Sequence, residues 1–273
     1  MSVPSEESPI ADIAVIGGSG FYELFESVRR VRVTTPYGPP SDAVSVGTIG
    51  GRDVAFLPRH GGRHKLPPHR INYRANMWAL RSLGVRQVLA PCAVGSLRRS
   101  LGPGSVVLPD QLVDRTSGRV QTYYDHGATH VSFADPYCAA GRAAVLKAAG
   151  RAGADVHDGG VMVVVEGPRF STRAESQWYA SAGWSLINMT GHPEAVLARE
   201  LALCYTSIAL VTDYDAGVER GEGVSQDEVF LVFGANVAHL KNLVLGTVSV
   251  LDRERRCGCG EALDGMDLPF TLP

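Results

Sequence analysis

The stretch SIALVTDYDAG (Ser207–Gly217) joins an apolar run of strand length to two aspartates that lie one residue apart. The two carboxylates must repel one another, so their position directly after a buried strand needs a reason. In one interpretation Asp213 caps a turn at the strand exit and Asp215 is solvated. In the other they are ligand groups, because α/β proteins bind ligands at the ends of buried strands. The sequence on either side decides between the two.

Apolar runs of the same kind recur along the chain and indicate an α/β fold. Helix-like stretches separate several of them, at residues 74–84, 136–150 and 193–203. Strands that are apolar throughout belong to sheets covered on both faces, which is typical of α/β architectures. The predicted strands are IAVIG (13–17), VAFLP (54–58), QVLAP (87–91), SVVLP (105–109), VMVVV (161–165) and SIALV (207–211).

A long C-terminal helix has the clearest predicted start. Ser225 and Glu228 form the pattern of a capping box, and apolar residues follow with helical spacing as far as Leu251. No repeat or low-complexity linker interrupts the chain before about residue 252. The sequence therefore predicts one domain over residues 11–251 and a C-terminal tail over residues 252–273.

Charge and composition argue against several classes of partner. The chain has 273 residues, a net charge of −2 and a pI of about 6.4, so no electrostatic argument favours nucleic acid or an anionic membrane. The N-terminus has no signal-peptide pattern. No apolar run approaches the ~20 residues of a membrane span. We therefore expect a cytoplasmic protein that binds small molecules.

The five cysteines divide into two groups. Cys92, Cys138 and Cys204 lie in apolar segments and are interpreted as small core residues. Cys257 and Cys259 are neighbours in RCGCGE with no histidine beside them, so a four-ligand zinc site is not expected. A local disulfide between them is the alternative, although a cytoplasmic setting argues against it.

Three strand ends are rich in glycine or hydrogen-bond donors and together predict an anion site. GGSG (17–20) allows backbone N–H groups to approach an anion closely. PRHGGRHK (58–65) crowds arginines and histidines together, and the arginine fork suits a tetrahedral oxyanion. APCAVGSL (90–97) exposes backbone among small residues. A tight turn in the first segment and a solvated basic loop in the second remain the alternatives.

Two further segments that follow strands could contact an organic ligand. In EGPRFSTRAES (166–176), Phe170 could stack on a planar ring, and Glu166 could accept hydrogen bonds from sugar hydroxyls. The alternative is that Phe170 belongs to the core and Glu166 to the surface. In NMTGHPE (188–194), Thr190 either contacts a ligand or only caps the next helix.

The chain resembles a known family in a series of ordered motifs: GGSG, TPYGPPSD, RHGGRH, NYRANMWAL, VGSL, DQLVDRT, EGPRFSTRAES, NMTGHPEA and TDYD. The family is that of the 5′-methylthioadenosine phosphorylases, the 6-aminopurine branch of the trimeric purine nucleoside phosphorylases, and the resemblance covers roughly residues 11–250. It implies a single α/β domain around a central mixed, partly barrel-like sheet, and a homotrimer with active sites near subunit interfaces. It also implies a reaction that replaces a purine with phosphate, which is a co-substrate, without a metal or organic cofactor.

The resemblance implies a role for each matching residue. Phosphate would contact Ser19, Arg59, His60, Cys92, Ala93 and Thr190. The purine would contact Phe170, Ser171, Asp213 and Asp215. The ribose would lie over Met189, and the 5′ side of the nucleoside would lie near His64, Gln226, Val229 and Phe230. His130 would reach into the site of a neighbouring subunit. The tail would pack near the active site or a subunit interface, where Leu268 or Phe270 could cover the 5′ pocket, and a loosely docked terminus is the alternative.

The resemblance also gives TDYD a chemical reason. Cleavage leaves negative charge on the purine, and an aspartic acid relieves it by protonating N7 only if its pKa lies well above about 3.9. Burial and a second carboxylate both raise such a pKa. Asp213 and Asp215 therefore suit a general acid and an acceptor for the 6-amino group. An asparagine in their place would favour a 6-oxopurine.

Two residues depart from the family pattern. Cys92 stands where a threonine often contacts phosphate, and a thiol is a poorer donor. Gln226 stands where the methylthio pocket usually has an apolar residue. It either faces away from the ligand or contacts a 5′-hydroxyl or another 5′ substituent.

Three alternative functions remain. A phosphorylase for 6-oxopurine nucleosides, such as inosine, guanosine or methylthioinosine, could use a protonated aspartic acid as a donor to O6. A nucleosidase would use water and need no anion site. A non-catalytic nucleoside-binding protein would never release the base. The acid pair beside the phosphate donors favours phosphorolysis of 5′-methylthioadenosine to adenine and 5-methylthioribose 1-phosphate.

Overall fold

A computed structural model describes residues 9–18, 21, 25, 28–218 and 223–273 of the chain. Ser19 lies outside the described residues. The strands are β1 Ile13–Gly17, β2 Arg29–Val31, β3 Val44–Ile49, β4 Arg52–Pro58, β5 Gln87–Ser96, β6 Val106–Leu108, β7 Gln111–Arg115, β8 His157–Asp158, β9 Val161–Val165, β10 Leu186–Asn188 and β11 Cys204–Tyr214. The α-helices are α1 Tyr73–Ser82, α2 Ala139–Ala152, α3 Arg173–Ser181, α4 Gly191–Glu200 and α5 Gln226–Val250, with 3-10 turns at Pro68–Arg70 and Gly258–Glu261.

The strands form one mixed sheet that branches at β5. Its main path runs β2-β3-β4-β1-β5-β10-β9-β7, while β11 pairs with both β5 and β6, and β6 pairs with β8. β1 and β11 run parallel to β5, and the end of β5, Gly95 and Ser96, pairs antiparallel with β10. The carboxyl ends of β4, β1, β5 and β11 therefore meet at one edge, where the ligand-binding segments were predicted. The prediction of a single α/β domain with a mixed sheet is confirmed.

Both faces of the sheet are covered, which explains why β1 is apolar throughout. Ala14 and Ile16 belong to a core shared with α1 and α4. Ile13 and Val15 belong to a second core shared with α2 and α5. Alternate strand residues point to opposite faces, so each face of β1 receives its own apolar set.

Four of the five helices agree with the sequence prediction, and α3 was missed. α3 carries a complete capping box between Thr172 and Glu175. The capping box predicted for α5 is only half formed. Ser225 accepts the Glu228 backbone N–H as predicted, but its hydroxyl donates to the Glu228 carboxylate.

The α5 helix is mostly apolar, although Asp227, Glu228 and Lys241 are charged. By length and composition alone it could cross a membrane, so the expectation that no segment approaches a membrane span is wrong on that count. Its C-terminal half instead packs into the core through Leu240, Leu243, Val244 and Val248. This half of α5 is thus a core helix of the α/β domain.

Candidate active site

A cavity of about 440 Å³ opens at the edge where the carboxyl ends of the strands meet. Among the predicted site residues, those that line it are Arg59, His60, His64, Cys92, Ala93, Phe170, Ser171, Met189, Thr190, Asp213, Asp215, Gln226, Val229 and Phe230. His130 is exposed in the segment before α2 and does not line the cavity of its own chain. The structure therefore brings together all the predicted residues that it describes, except His130.

The aspartate pair stands at the end of β11, beside β5. A register shift between Val211 and Asp213 sets Asp213 opposite Gly95, and a bulge of this kind re-aims side chains. A Cβ atom on Gly95 would lie 2.9 Å from Asp213 Oδ1. Glycine at this position therefore lets the carboxylate lie directly against β5. Thr212 Oγ1 donates to Asp213 Oδ2 over 2.7 Å.

Burial raises the pKa of both carboxyl groups. For Asp213 it reaches about 6, because burial and the Asp215 charge outweigh the hydrogen bond from Thr212. The pKa of Asp215 is also raised by burial, against the effect of the Ser176 and Ser171 hydroxyls nearby. Within the described chain, Asp215 Oδ2 and Ser171 Oγ are buried without a hydrogen bond of normal geometry. A raised pKa beside unpaired polar atoms is typical of an acid–base site.

Arg59 lies at the opposite side of the cavity, held by a carboxylate that the sequence reasoning missed. Its Nε and Nη2 bond both oxygens of Glu194 at 2.7 and 2.8 Å, and Tyr205 also donates to Glu194. The carbonyls of Pro91 and Ile16 accept two more bonds. A guanidinium has five N–H donors, so one on Nη1 remains for a ligand. A buried arginine needs such a carboxylate, which was the available signal for Glu194.

His60 is neutral and fixed in orientation. Burial lowers its pKa to about 3, and its Nδ1 lies 2.9 Å from the Leu66 carbonyl oxygen. A carbonyl only accepts, so Nδ1 carries the proton and Nε2 is the acceptor. His64 stacks on the His60 ring at a centroid distance of 4.2 Å. Phe230 packs edge-on against His64, with the ring centroids 6.3 Å apart. The two histidines therefore join the anion side of the cavity to its apolar side.

A second residue missed from the sequence, Asn188, shapes the floor of the cavity. Its side chain donates to the Ala93 carbonyl at 3.1 Å and accepts the backbone N–H groups of Thr190 and Gly191 at 2.8 and 2.6 Å. It thus fixes the start of α4 against β5. The backbone is extended at His192, so the helical turns of α4 begin after it, and Asn188 holds the segment that leads into them.

Met189 approaches the loop after β9 closely. A Cβ atom on Gly167, which has a φ of 64°, would lie 2.6 Å from Met189 Sδ. The thioether therefore rests directly on the backbone before Pro168, between the aspartate end and the anion end of the cavity. Only glycine adopts the positive φ at this position without a Cβ atom that would collide with Met189.

The remaining wall is apolar and comes from the first turns of α5. Val229, Phe230 and Phe233 line it, and Phe170 lies in the same cavity. Gln226, at the first turn of α5, also lines the cavity. Gln226 is also exposed, and a contact between its amide and a 5′ substituent stays a prediction.

Of the two interpretations of Glu166, the structure favours the one that places it outside the site. Its carboxylate binds Arg119 Nε at 3.0 Å and the Ser117 N–H at 2.9 Å, and it does not line the cavity. Phe270 and Leu268 of the tail do not line the cavity of their own chain, and their packing near a neighbouring subunit stays a prediction. Phe270 instead stacks on Tyr124 with ring centroids 5.5 Å apart.

The cysteines are arranged differently from the expectation. Cys92, Cys138 and Cys204 are buried, as predicted, but the expectation that only Cys257 and Cys259 cluster is wrong, because Cys138 and Cys204 join them in one group of four. Cys92 is separate, lines the main cavity and lies 3.6 Å from the Ser207 hydroxyl.

The fold and the cavity define an α/β enzyme that acts on nucleosides with an anionic co-substrate. Donors for an anion lie at one side, a buried carboxyl pair for a base at the other, and an apolar wall faces the opening. Comparisons with known proteins agree with this class. The family model of the phosphorylase superfamily matches residues 12–249.

Two curated relatives are each 60% identical to the chain. The purine nucleoside phosphorylase of Streptomyces coelicolor aligns over 274 residues, with 96% of this chain and 98% of its own covered. The S-methyl-5′-thioadenosine phosphorylase of Mycolicibacterium smegmatis aligns over 262 residues, with 96% and 99% covered.

Solved structures give the same result. A methylthioadenosine phosphorylase from an antarctic soil metagenomic library has a TM-score of 0.89 at 40% identity, covering 95% of this chain and 93% of its own. The Schistosoma mansoni methylthioadenosine phosphorylase in complex with adenine has a TM-score of 0.86 at 39% identity, covering 90% and 93%. The chain belongs to the phosphorylase superfamily, and its resemblance to the methylthioadenosine phosphorylases is confirmed.

Proposed function

We propose that this chain catalyses the phosphorolysis of 5′-methylthioadenosine to adenine and 5-methylthioribose 1-phosphate. The observation that carries the proposal is the shared cavity of the aspartate pair and the anion donors. Asp213, with its pKa raised to about 6, lies in one cavity with Arg59, His60 and Thr190. An acid for the leaving base and a cradle for the nucleophile are the two groups that phosphorolysis requires.

At the base, Asp213 acts as the general acid. It protonates N7 as the glycosidic bond breaks, so that adenine leaves as a neutral molecule. Asp215, whose Oδ2 is buried without a hydrogen bond, accepts one from the 6-amino group. Phe170 stacks on the purine ring, and Ser171 Oγ, also buried and without a hydrogen bond, supplies a further polar contact.

At the other side, phosphate is both nucleophile and counter-charge. Its oxygens are held by the remaining Nη1 donor of Arg59, the backbone at Ala93 and the Thr190 hydroxyl. His60 Nε2 accepts its remaining O–H. A phosphate fixed beneath the sugar stabilises the positive charge that develops there, and its fixed position supplies the proximity effect. In this scheme phosphate is a co-substrate, and no metal or organic cofactor takes part.

The ribose lies over Met189, and the 5′-methylthio group meets Val229, Phe230 and Phe233. Gln226 lies where a polar 5′ group would also find a partner. We further infer a cytoplasmic homotrimer. His130 is exposed and outside its own cavity, and Leu231, 75% exposed beside the cavity wall, leaves apolar surface for a second copy to cover.

One alternative has a specific observation in its favour. A relative of equal identity is named a purine nucleoside phosphorylase without a restriction to methylthioadenosine. A protonated Asp215 could also donate to O6 of hypoxanthine or guanine, where it would otherwise accept a bond from a 6-amino group. The two substrate classes differ at that single contact, so base release distinguishes them.

The test is release of free base from methylthioadenosine, adenosine and inosine, each with and without phosphate, followed by chromatography. We expect adenine to be released only when phosphate is present, and fastest from methylthioadenosine. No hypoxanthine should be released from inosine. Faster release from adenosine would assign Gln226 to a 5′-hydroxyl. Hypoxanthine release alone would support the 6-oxopurine alternative, and release without phosphate would indicate a nucleosidase. Binding without any release would leave a nucleoside-binding protein.

A further inference from the structure

Four cysteines from three parts of the chain meet at one point outside the active site. Cys138 precedes α2, Cys204 begins β11, and Cys257 and Cys259 lie at the 3-10 turn of the tail. Their four Sγ atoms lie within 4.8 Å of one another, and none is in a disulfide. Cys257 Sγ is 3.4 Å from Cys204 Sγ and 3.7 Å from Cys138 Sγ.

We propose that these four thiolates bind one zinc ion, which fastens the C-terminal tail to the domain. Zinc in structural sites is tetrahedral with Zn–S bonds of about 2.3 Å, so its sulfur ligands lie about 3.8 Å apart. The observed separations match this spacing to within small side-chain movements. Cys138, Cys204 and Cys259 are buried and Cys257 is partly exposed, so an ion can enter from the Cys257 side.

The backbone holds two of the ligands in place independently of a metal. The Cys138 N–H donates to the Tyr205 carbonyl at 2.8 Å, and the Cys204 N–H donates to the Arg86 carbonyl at 2.9 Å. Gly141 N–H also donates to Cys138 Sγ at 3.4 Å. Hydrogen bonds of this kind orient metal ligands. The N-terminus of α2 favours the thiolate form that zinc requires.

A positive charge lies beside the cluster. Four thiols that bind Zn²⁺ release four protons and leave a complex with a net charge of −2. Arg255 Nη1 donates to the Ala202 carbonyl at 2.7 Å, and its guanidinium packs against Gly260. Each of these contacts is within two residues of a ligand cysteine, so the guanidinium partly balances the charge of the complex.

The zinc ion is structural and stands apart from the reaction. Cys204 opens β11 and Asp213 follows nine residues later, a separation of about 30 Å along an extended strand. The tail also contacts the domain through Phe270 and Leu272, which pack against the main core, and through buried Leu263. A metal at the cluster therefore adds a crosslink between the tail, α2 and β11.

The test is the zinc content of the full-length protein, produced in zinc-supplemented medium and purified with a reductant. We expect about one zinc ion per chain, and a loss to under about a tenth of that in Cys259→Ser. Cys92→Ser is the matched control and keeps its zinc. A second measurement avoids dependence on variants that fail to fold: wild-type apoprotein titrated with Co²⁺ should show intense thiolate-to-cobalt absorption, and chelation should lower its Tm.

Three outcomes would overturn the inference. The cluster would be metal-free if the wild-type protein holds no zinc, shows no cobalt–thiolate absorption and has reactive thiols at the four cysteines. An intact mass lower by two or four hydrogen atoms in protein kept under reductant would assign the cysteines to disulfides instead. Equal zinc in wild type and Cys259→Ser would also count against the site.

Discussion

Replacing Asp213 with asparagine should reduce activity and increase stability at once. The substitution keeps the shape of the side chain but removes the proton donated to N7. General acids of this kind contribute about 10²–10⁴ in rate, so kcat/KM for methylthioadenosine should fall by that factor. At about 1.4 kcal/mol per tenfold change, this equals about 3–5 kcal/mol of lost transition-state stabilisation.

The stability change follows from the same pKa. The pKa of Asp213 rises from 3.8 to about 6 on folding, which is about two pKa units. While the carboxyl group is ionised, each pKa unit lowers the folding stability by about 1.4 kcal/mol. The folded state binds more protons than the unfolded state between these two pH values. Wild-type stability is therefore lowered as pH rises through that window. Asp213→Asn should be more stable by about 1–3 kcal/mol above pH 6, and equal to wild type below pH 3.8.

The assays are base release with saturating phosphate and urea unfolding at pH 7.5 and at the lowest pH where the protein folds. Asp264→Asn removes an exposed carboxylate of the tail and serves as the control for both. Asp213→Asn activity within tenfold of wild type would refute the acid role. An equal stability gain at both pH values would show that the variant acts through packing and not through the raised pKa.

Three further substitutions test other parts of the site. Glu194→Ala leaves the buried Arg59 charge without its carboxylate and should lower the free energy of unfolding by about 3–5 kcal/mol in urea titrations; an unchanged midpoint would contradict it. Cys92→Thr adds a better donor at the phosphate side, so the KM for phosphate should fall several-fold while the KM for nucleoside stays the same. Gln226→Leu should raise the kcat/KM ratio of methylthioadenosine over adenosine by about tenfold or more, and an unchanged ratio would place the amide outside the 5′ contact.

The sequence predicted the residues that line the cavity better than it predicted the residues that hold them in place. Arg59 and Asp213 each stand at the end of an apolar run, and the parallel strands from β4 to β11 bring these ends to one edge, so their meeting was foreseeable. Thr190 follows β10, which is antiparallel to the end of β5, so its place was predicted only from the resemblance. Glu194 and Asn188 act by holding other residues in place. Glu194 bonds an arginine 135 positions away, and Asn188 bonds a carbonyl 95 positions away. Such partners are set by the three-dimensional path of the chain, which local spacing does not contain.

The same reason explains the missed helix and the missed cysteine cluster. α3 buries only Ser176 and Tyr179, so it has no apolar stripe for periodicity to detect. Cys138 and Cys257 are 119 positions apart, and each half of the cluster alone resembles ordinary core cysteines. By contrast β1 and β9 match their predicted bounds, because their residues are buried on both faces of the sheet.

The branching of the sheet at β5 has a consequence for how the chain is made. β5 pairs with a strand near the N-terminus, and also with β10 and β11 from the last third of the chain. Pairings so distant in sequence make folding slow. During synthesis the edge of β5 that pairs with β11 stays unpaired until the ribosome has released β11, and unpaired edges are prone to aggregation. Truncation before residue 204 should therefore yield an insoluble product and no partial enzyme, because the centre of the sheet is among the last parts to be completed.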